Sequence, residues 1–325
     1  MNGKTRTARP TEKTVQLPLW QHIPEGALSP PVGAPYPGEV GPQSSLALAI
    51  HWFAQYLRTQ DYSDQTVRSY LTSLSLFAQY VGSARPLSEI EKAHVRGFLD
   101  WLRSRRETAA KTVELRGTAL RAFFAALQKE GALSHNPAQD IYPPRGATPL
   151  PEILFDQEVE ELRQTAARLA EEGKPRPYLV LILALEMGLR LGEIARLTRA
   201  DIDLSNPYRP VVHVRYKNRR HRHKARALTG PPELTAIYRK YLETIEGDRL
   251  FPVTPRTLEY EIENLGRQAR LLRRLTARTL RWTWAVRKVR EGTDKEKLRR
   301  LMGLSPVAWQ EVSKMLTLLA SPPLG

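Results

Sequence analysis

Residues 178–203 read YLVLILALEMGLRLGEIARLTRADID, and between Tyr178 and Leu189 the only charge is Glu186. A run apolar on every side predicts a helix buried at the centre of a domain. It is too short to cross a membrane, which takes about 20 residues. Gly188 stops it, Arg190 is the first cation past the buried segment, and Glu193 follows one helical turn later. This stretch fixes the middle of a mostly helical domain.

Downstream, Val211, Val212, Val214 and Tyr216, then a polar run, then Ala225 to Leu228 predict a β-hairpin. Its connecting segment is strongly basic: Arg215, Lys217, Arg219, Arg220, Arg222, Lys224 and Arg226 fall within residues 215–226 with no acid among them. Beyond Pro231 the spacing is helical again, through Leu234, Ile237 and Tyr241, then Leu258, Ile262 and Leu265, then Leu280, Trp284 and Val289, and last Val307 to Leu319. A helix capped by Asp156 opens this domain, which is assigned residues 154–325.

Upstream, residues 44–141 carry four amphipathic helices. Their apolar faces are Leu46, Ile50, Phe53 and Leu57; Val67, Tyr70, Leu74, Phe77 and Val81; Val95, Phe98 and Leu102 after an N-cap at Ser88; and Leu115, Leu120, Phe123, Phe124 and Leu127 before Gly131. Residues 142–153 form a proline-rich linker, and residues 1–43, with eight prolines, read as a flexible basic arm. The fold class is therefore mainly α: a four-helix domain, then a mixed, mostly helical domain with one small hairpin.

With 325 residues the chain is long enough for two cored domains. Lys and Arg total 50 against 34 Asp and Glu, a net charge of +16 that points to a polyanion such as nucleic acid. Without cysteine there is no disulfide framework, thiolate metal site or cysteine nucleophile. His221 and His223 lack a third ligand at metal spacing, so neither metal nor cofactor is expected. The apolar content supports neither signal peptide nor membrane span, and the expected location is the cytoplasm, with the nucleoid. Two domains joined by a proline-rich linker, one with a basic hairpin, suggest a clamp on DNA.

Three segments carry a resemblance to a known family. ALEMGLRLGEIARLTRADID, LTARTLRWTWAV and RRLMGLSPVAWQEVSKML resemble the catalytic segments of the tyrosine recombinase (phage integrase) family. DYSDQTVRSYLTSLSLFAQYV and KTVELRGTALRAFFAALQKEGALSHNPA resemble that family's core-binding, SAM-like domain. The resemblance covers about residues 44–320. It implies that Arg190 and Arg281 are the paired catalytic arginines, that Lys217 is the hairpin lysine, and that Arg278 stands where a histidine would be. It also implies two departures: Leu304 occupies the position of the last histidine, and Ser313 that of the nucleophilic tyrosine.

Two guanidinium groups can each donate paired N–H groups to one phosphate, and a lysine near the leaving oxygen can protonate it. The nucleophile is the missing part. A phenol, with its pKa of about 10, can be activated and can also leave when the strand is rejoined, and a serine hydroxyl does neither. Ser313 without a neighbouring base reads as a helix-surface residue. For each arginine the plainer reading is a solvated charge, since residues 266–300 alone hold ten Arg. Expected DNA contacts are Arg215, Arg219, Arg220, Arg222, Lys224, Arg226 and Trp282 in the second domain, with Lys111 and Arg116 in the first. The indole N–H of Trp282 is expected on the phosphate, and Trp284 in the core.

Three functions fit. The first is a double-stranded-DNA-binding member of the recombinase family, acting in recombination or integration without cleaving strands itself. The second is a subunit of an active recombinase whose tyrosine comes from a paralogous partner. The third is a general nucleic-acid coating protein. Self-association is compatible with each, and whether the chain is an enzyme stays open. A tyrosine within reach of the arginine pair would overturn the first.

Overall fold

The computed structural model describes residues 40–105, 108–142, 149–216 and 219–321, the side chains of Arg219 and Arg220 excepted. Residues 1–39 of the arm, 143–148 of the linker and Lys217 lie outside the described residues. The chain divides into two compact units, Met1–Thr148 and Pro149–Gly325.

In the first unit, helices α1 (Leu46–Thr59), α2 (Asp64–Val81), α3 (Lys92–Ser104) and α4 (Ala110–Lys129) pack around one apolar core. Ser45 and Ser63 cap α1 and α2, each accepting a backbone N–H three residues on, which satisfies donors the first helical turn leaves free. Phe53 meets Phe123 edge-on at 5.3 Å, and Phe77 meets Phe98 likewise, so aromatic contacts tie α1 to α4 and α2 to α3. The third helix begins later than the expected Ser88 cap. Leu87 and Ile90 are both buried, which takes a short 3₁₀ turn at Leu87–Glu89 and an extended Ile90, so α3 starts at Lys92.

In the second unit, α5 (Asp156–Glu171) is capped not by the Asp156 side chain but by Glu158, whose carboxylate accepts the Phe155 N–H at 2.7 Å. Helix α6 (Arg176–Leu181) loosens into a π turn over Ile182–Glu186, and this whole segment from Leu179 to Leu185 is buried. Short α7 (Leu191–Ile194) follows. Three antiparallel strands lie in the order β1 (Ile202–Asp203), β2 (Val211–Val214) and β3 (Arg226–Thr229), so the hairpin has a third strand that two residues of sequence could not announce. Helices α8 (Glu233–Leu242), α9 (Pro255–Gln268), α10 (Ala277–Arg290), α11 (Lys295–Leu301) and α12 (Pro306–Ala320) complete the unit.

Helix α10 departs most from its expected burial. Trp282 and Trp284 were expected to part, one to the core and one to a ligand, yet both rings lie in one apolar cluster with Leu298, Met302 and Leu316. Contacts from α11 and α12 on one side and from the π turn on the other bury α10 nearly all round. No helix among the described residues is long and apolar enough to cross a membrane.

Candidate functional site

The π turn and the glycine that ends it aim the site. Gly188 has φ +66°, and a Cβ there would come within 2.2 Å of the Trp284 ring, so only glycine lets the chain turn against α10. The turn leaves Arg190 at the N-cap of α7 and Glu193 three residues on. The Glu193 carboxylate reaches back to the Arg190 backbone N–H at 2.8 Å and takes a side-chain N–H from Arg190 Nη1 at 2.9 Å.

Glu193 is the buried centre of a cationic cluster. Arg226 donates through Nη1 and Nη2 to the two carboxylate oxygens at 3.0 and 2.9 Å, the Tyr216 hydroxyl donates to Oε1 at 2.6 Å, and Arg281 Nη1 stands 3.8 Å from Oε2. Burial by itself would raise the pKa of Glu193. The two bonds from Arg226, with the charges of Arg281 and Arg190 behind them, instead hold the carboxyl well below the usual range. Three guanidinium groups against one carboxylate leave a local charge of +2.

Arg281 is buried and donates to two main-chain oxygens, Gly188 O and Met302 O, each at 2.6 Å. Burial, with Arg190 beside it, pushes its pKa down to about 9. Arg190 is more open, with a third of its side chain exposed, and its Nη2 reaches the Gly303 carbonyl at 3.2 Å. Both arginines thus converge on Glu193 and on the adjacent Met302 and Gly303. Gly303, at φ +58°, permits the approach, since a Cβ there would lie 2.8 Å from Arg226 Nη1.

The other sequence-named residues scatter. Lys224 lies by the cluster, its Nζ 3.1 Å from His221 Nδ1, and burial together with Arg190 lowers its pKa. Arg226 points inward, because it pairs across the sheet with buried Val214 and shares that face. Arg215 is exposed and bridges to Asp201 at 3.2 Å, and Arg222 is exposed. Arg278 is exposed on the first turn of α10. Leu304 packs against the tryptophan cluster, and the Ser313 hydroxyl donates back to Gln310 O of its own helix at 3.2 Å. In the first unit, Lys111 is exposed and pairs with Glu114, whereas Arg116 is buried. Among the described residues no group of three or more His, Asp or Glu is placed to hold a metal ion.

Tyr216 was overlooked as a member of the cluster. The signal was available: Val212, Val214 and Tyr216 alternate along one strand, so all three face inward. Its phenol is bonded to Glu193 and its pKa is raised, by burial first and by that bond next. The Arg196 guanidinium lies 5.4 Å from the ring centroid.

Comparison with known proteins follows the same division. The model of the phage integrase N-terminal SAM-like domain matches residues 50–131, and that of the phage integrase family matches residues 152–309. A tyrosine recombinase of Thermosipho africanus is 26% identical over 269 residues, covering 78% of this chain and 90% of the relative. A tyrosine recombinase XerC of Oceanobacillus iheyensis is 25% identical over 275 residues, covering 80% and 88%. The solved XerH site-specific recombinase bound to palindromic difH substrate, a post-cleavage complex, matches with a TM-score of 0.67 at 17% identity, covering 88% of this chain and 96% of that one. The Tn1549 transposon integrase in complex with transposon right end DNA matches at 0.63 and 15% identity, covering 84% and 95%. At these identities the likeness to the solved structures is one of fold.

Proposed function

This chain belongs to the phage integrase family of tyrosine recombinases, and from that premise we propose that it is a duplex-DNA clamp acting in recombination or integration without cleaving strands itself. The solved relatives with this fold are bound to DNA, among them XerH on difH and the Tn1549 integrase on a transposon end. The observation that carries the reading is the state of the side chains around the arginine cluster. Arg190 keeps an open guanidinium backed by a net positive charge, so it can take a backbone phosphate. Leu304 has neither donor nor acceptor in its side chain, and the Ser313 hydroxyl is bonded within α12.

Tyr216 is the phenol nearest this arrangement, and its surroundings work against nucleophilic attack. An attacking phenol must lose its proton, whereas this one is buried, has a raised pKa and donates to a carboxylate too acidic to serve as a base. In the proposed role Tyr216 holds Glu193 in place. Arg281 fixes the turn at Met302 and Gly303 that presents Arg190. Arg215, Arg222 and Lys224 supply further phosphate contacts near the hairpin.

Duplex binding measured over a salt series tests the proposal. Affinity falls steeply as salt rises, because each neutralised phosphate releases counterions, and a flat response contradicts it. A second reading is favoured by the open edge of Arg190: an active complex in which a paralogous chain supplies the tyrosine. Recombination that appears only on mixing with such a chain, and disappears in Arg190→Ala, would establish that reading instead.

A further inference from the structure

Arg116, on α4, is 8% exposed, and its Nε and Nη1 are shut off from solvent with no hydrogen-bond partner. Water has been removed from a cation and nothing among the described residues replaces it, which is among the costliest arrangements a fold can hold. Burial is the sole cause of its lowered pKa, so no carboxylate acts on it. The nearby Glu114 is bonded to Lys111 instead. Nη2 is not among the shut-off atoms, so the tip of the guanidinium reaches the surface.

That tip lies in a recess of about 490 Å³ between α2 and α4. Arg68, Ser69, Thr72 and Thr112 share its lining, no acid does, and the Ser69 and Thr112 hydroxyls make no hydrogen bond with a described residue. A recess with two arginines and free hydroxyls is built for an anion. Its concave shape selects which part of a duplex can enter. Base edges lie at the floor of a groove and cannot project into a pocket, whereas backbone phosphates stand on a ridge.

We propose that the recess between α2 and α4 seats one backbone phosphodiester of the duplex, whose two non-bridging oxygens meet the Nη1 and Nη2 edge of Arg116. The seat rests on the duplex-binding reading above. It makes Arg116 a register-fixing contact that is blind to sequence, since phosphates position a protein without reading bases. The tight hold on its stem distinguishes it from the flexible surface cations around it.

The test uses the full chain on a duplex recovered by binding-site selection, with neutral methylphosphonate groups placed one at a time along both strands. For the native protein, one position in the region covered by the first unit weakens binding by about tenfold, the loss of a charge-assisted bond. Arg116→Met weakens binding to the unmodified duplex by a similar factor, lowers the salt slope by about 0.9, and is insensitive to the substitution at that position. Met keeps the apolar stem and removes an unpaired charge, so the variant melts no lower than the native protein. Arg116→Lys retains the sensitivity at reduced affinity. A Met variant that binds and scans like the native protein overturns the seat, as does a loss restricted to one base sequence, or a lower melting temperature that marks Arg116 as structural. Native protein that binds no duplex overturns the functional reading, and the seat with it.

Discussion

The Tyr216 hydroxyl and Arg190 Nη1 donate to the same carboxylate oxygen, Glu193 Oε1, at 2.6 and 2.9 Å. One buried glutamate therefore organises a phenol from the hairpin and a guanidinium from the turn after the π segment. Arg226 and Arg281 reach the same carboxylate from β3 and α10. Elements distant in sequence meet at one acid, and the arrangement predicts how each partner responds to substitution.

Replacing Glu193 with Gln leaves three guanidinium groups facing one another without a counter-charge. Breaking a buried pair from one side costs about 3–5 kcal/mol. Urea unfolding of Glu193→Gln is expected to show a midpoint lowered to match, with the slope unchanged. A midpoint within error of the native one would mean that the carboxylate does not hold the cluster together.

The two arginines should behave differently. Arg281 is buried and anchors two carbonyl oxygens, so Arg281→Ala strands both and lowers stability by about 2–4 kcal/mol. Arg190 is a third exposed, and Arg190→Ala costs under about 1 kcal/mol in stability. Its loss should appear in duplex affinity instead, with the salt slope reduced by about 0.9 for the one phosphate released. Denaturation and binding measured on the same two variants check the split.

Acid should loosen the second unit. Glu193 has a folded-state pKa depressed below its unfolded value, so the unfolded chain binds the proton first as pH falls. The stabilisation is full above the unfolded value of about 4.3 and is lost progressively below it, with a slope approaching about 1.4 kcal/mol per pH unit for this one proton. In the Glu193→Gln variant that part of the acid sensitivity disappears. A native profile flat below pH 4.3 would contradict the depressed pKa.

Gly188 links the fold to the site. At φ +66° and with the Trp284 ring 2.2 Å from where a Cβ would sit, Gly188→Ala must displace α10 or the turn that presents Arg190. Overpacking of this kind costs about 1–3 kcal/mol, with backbone strain in addition. Thermal melting should show the loss.

Periodicity made the helices legible because each buries one face, and the apolar run from Tyr178 marked the centre of the second unit directly. The third strand, β1, was not legible, since two residues carry no period. Neither was the shared burial of Trp282 and Trp284, which depends on α11 and α12 returning to cover α10. At the site, Arg190, Glu193 and Arg281 could be singled out from flanking sequence. The inward turn of Arg226 and Tyr216 follows from strand register, which the polar run in the hairpin concealed. Arg116 gave no signal in sequence, because being buried and unpaired is a property of packing.

The most direct measurement is a search for a covalent protein–DNA adduct on a nicked suicide duplex, run with the native chain and with Tyr216→Phe. The account predicts that neither protein forms one, although both bind the duplex. A phosphotyrosine linkage mapped to Tyr216 and missing from the Phe variant, or an adduct on any other side chain, would contradict it.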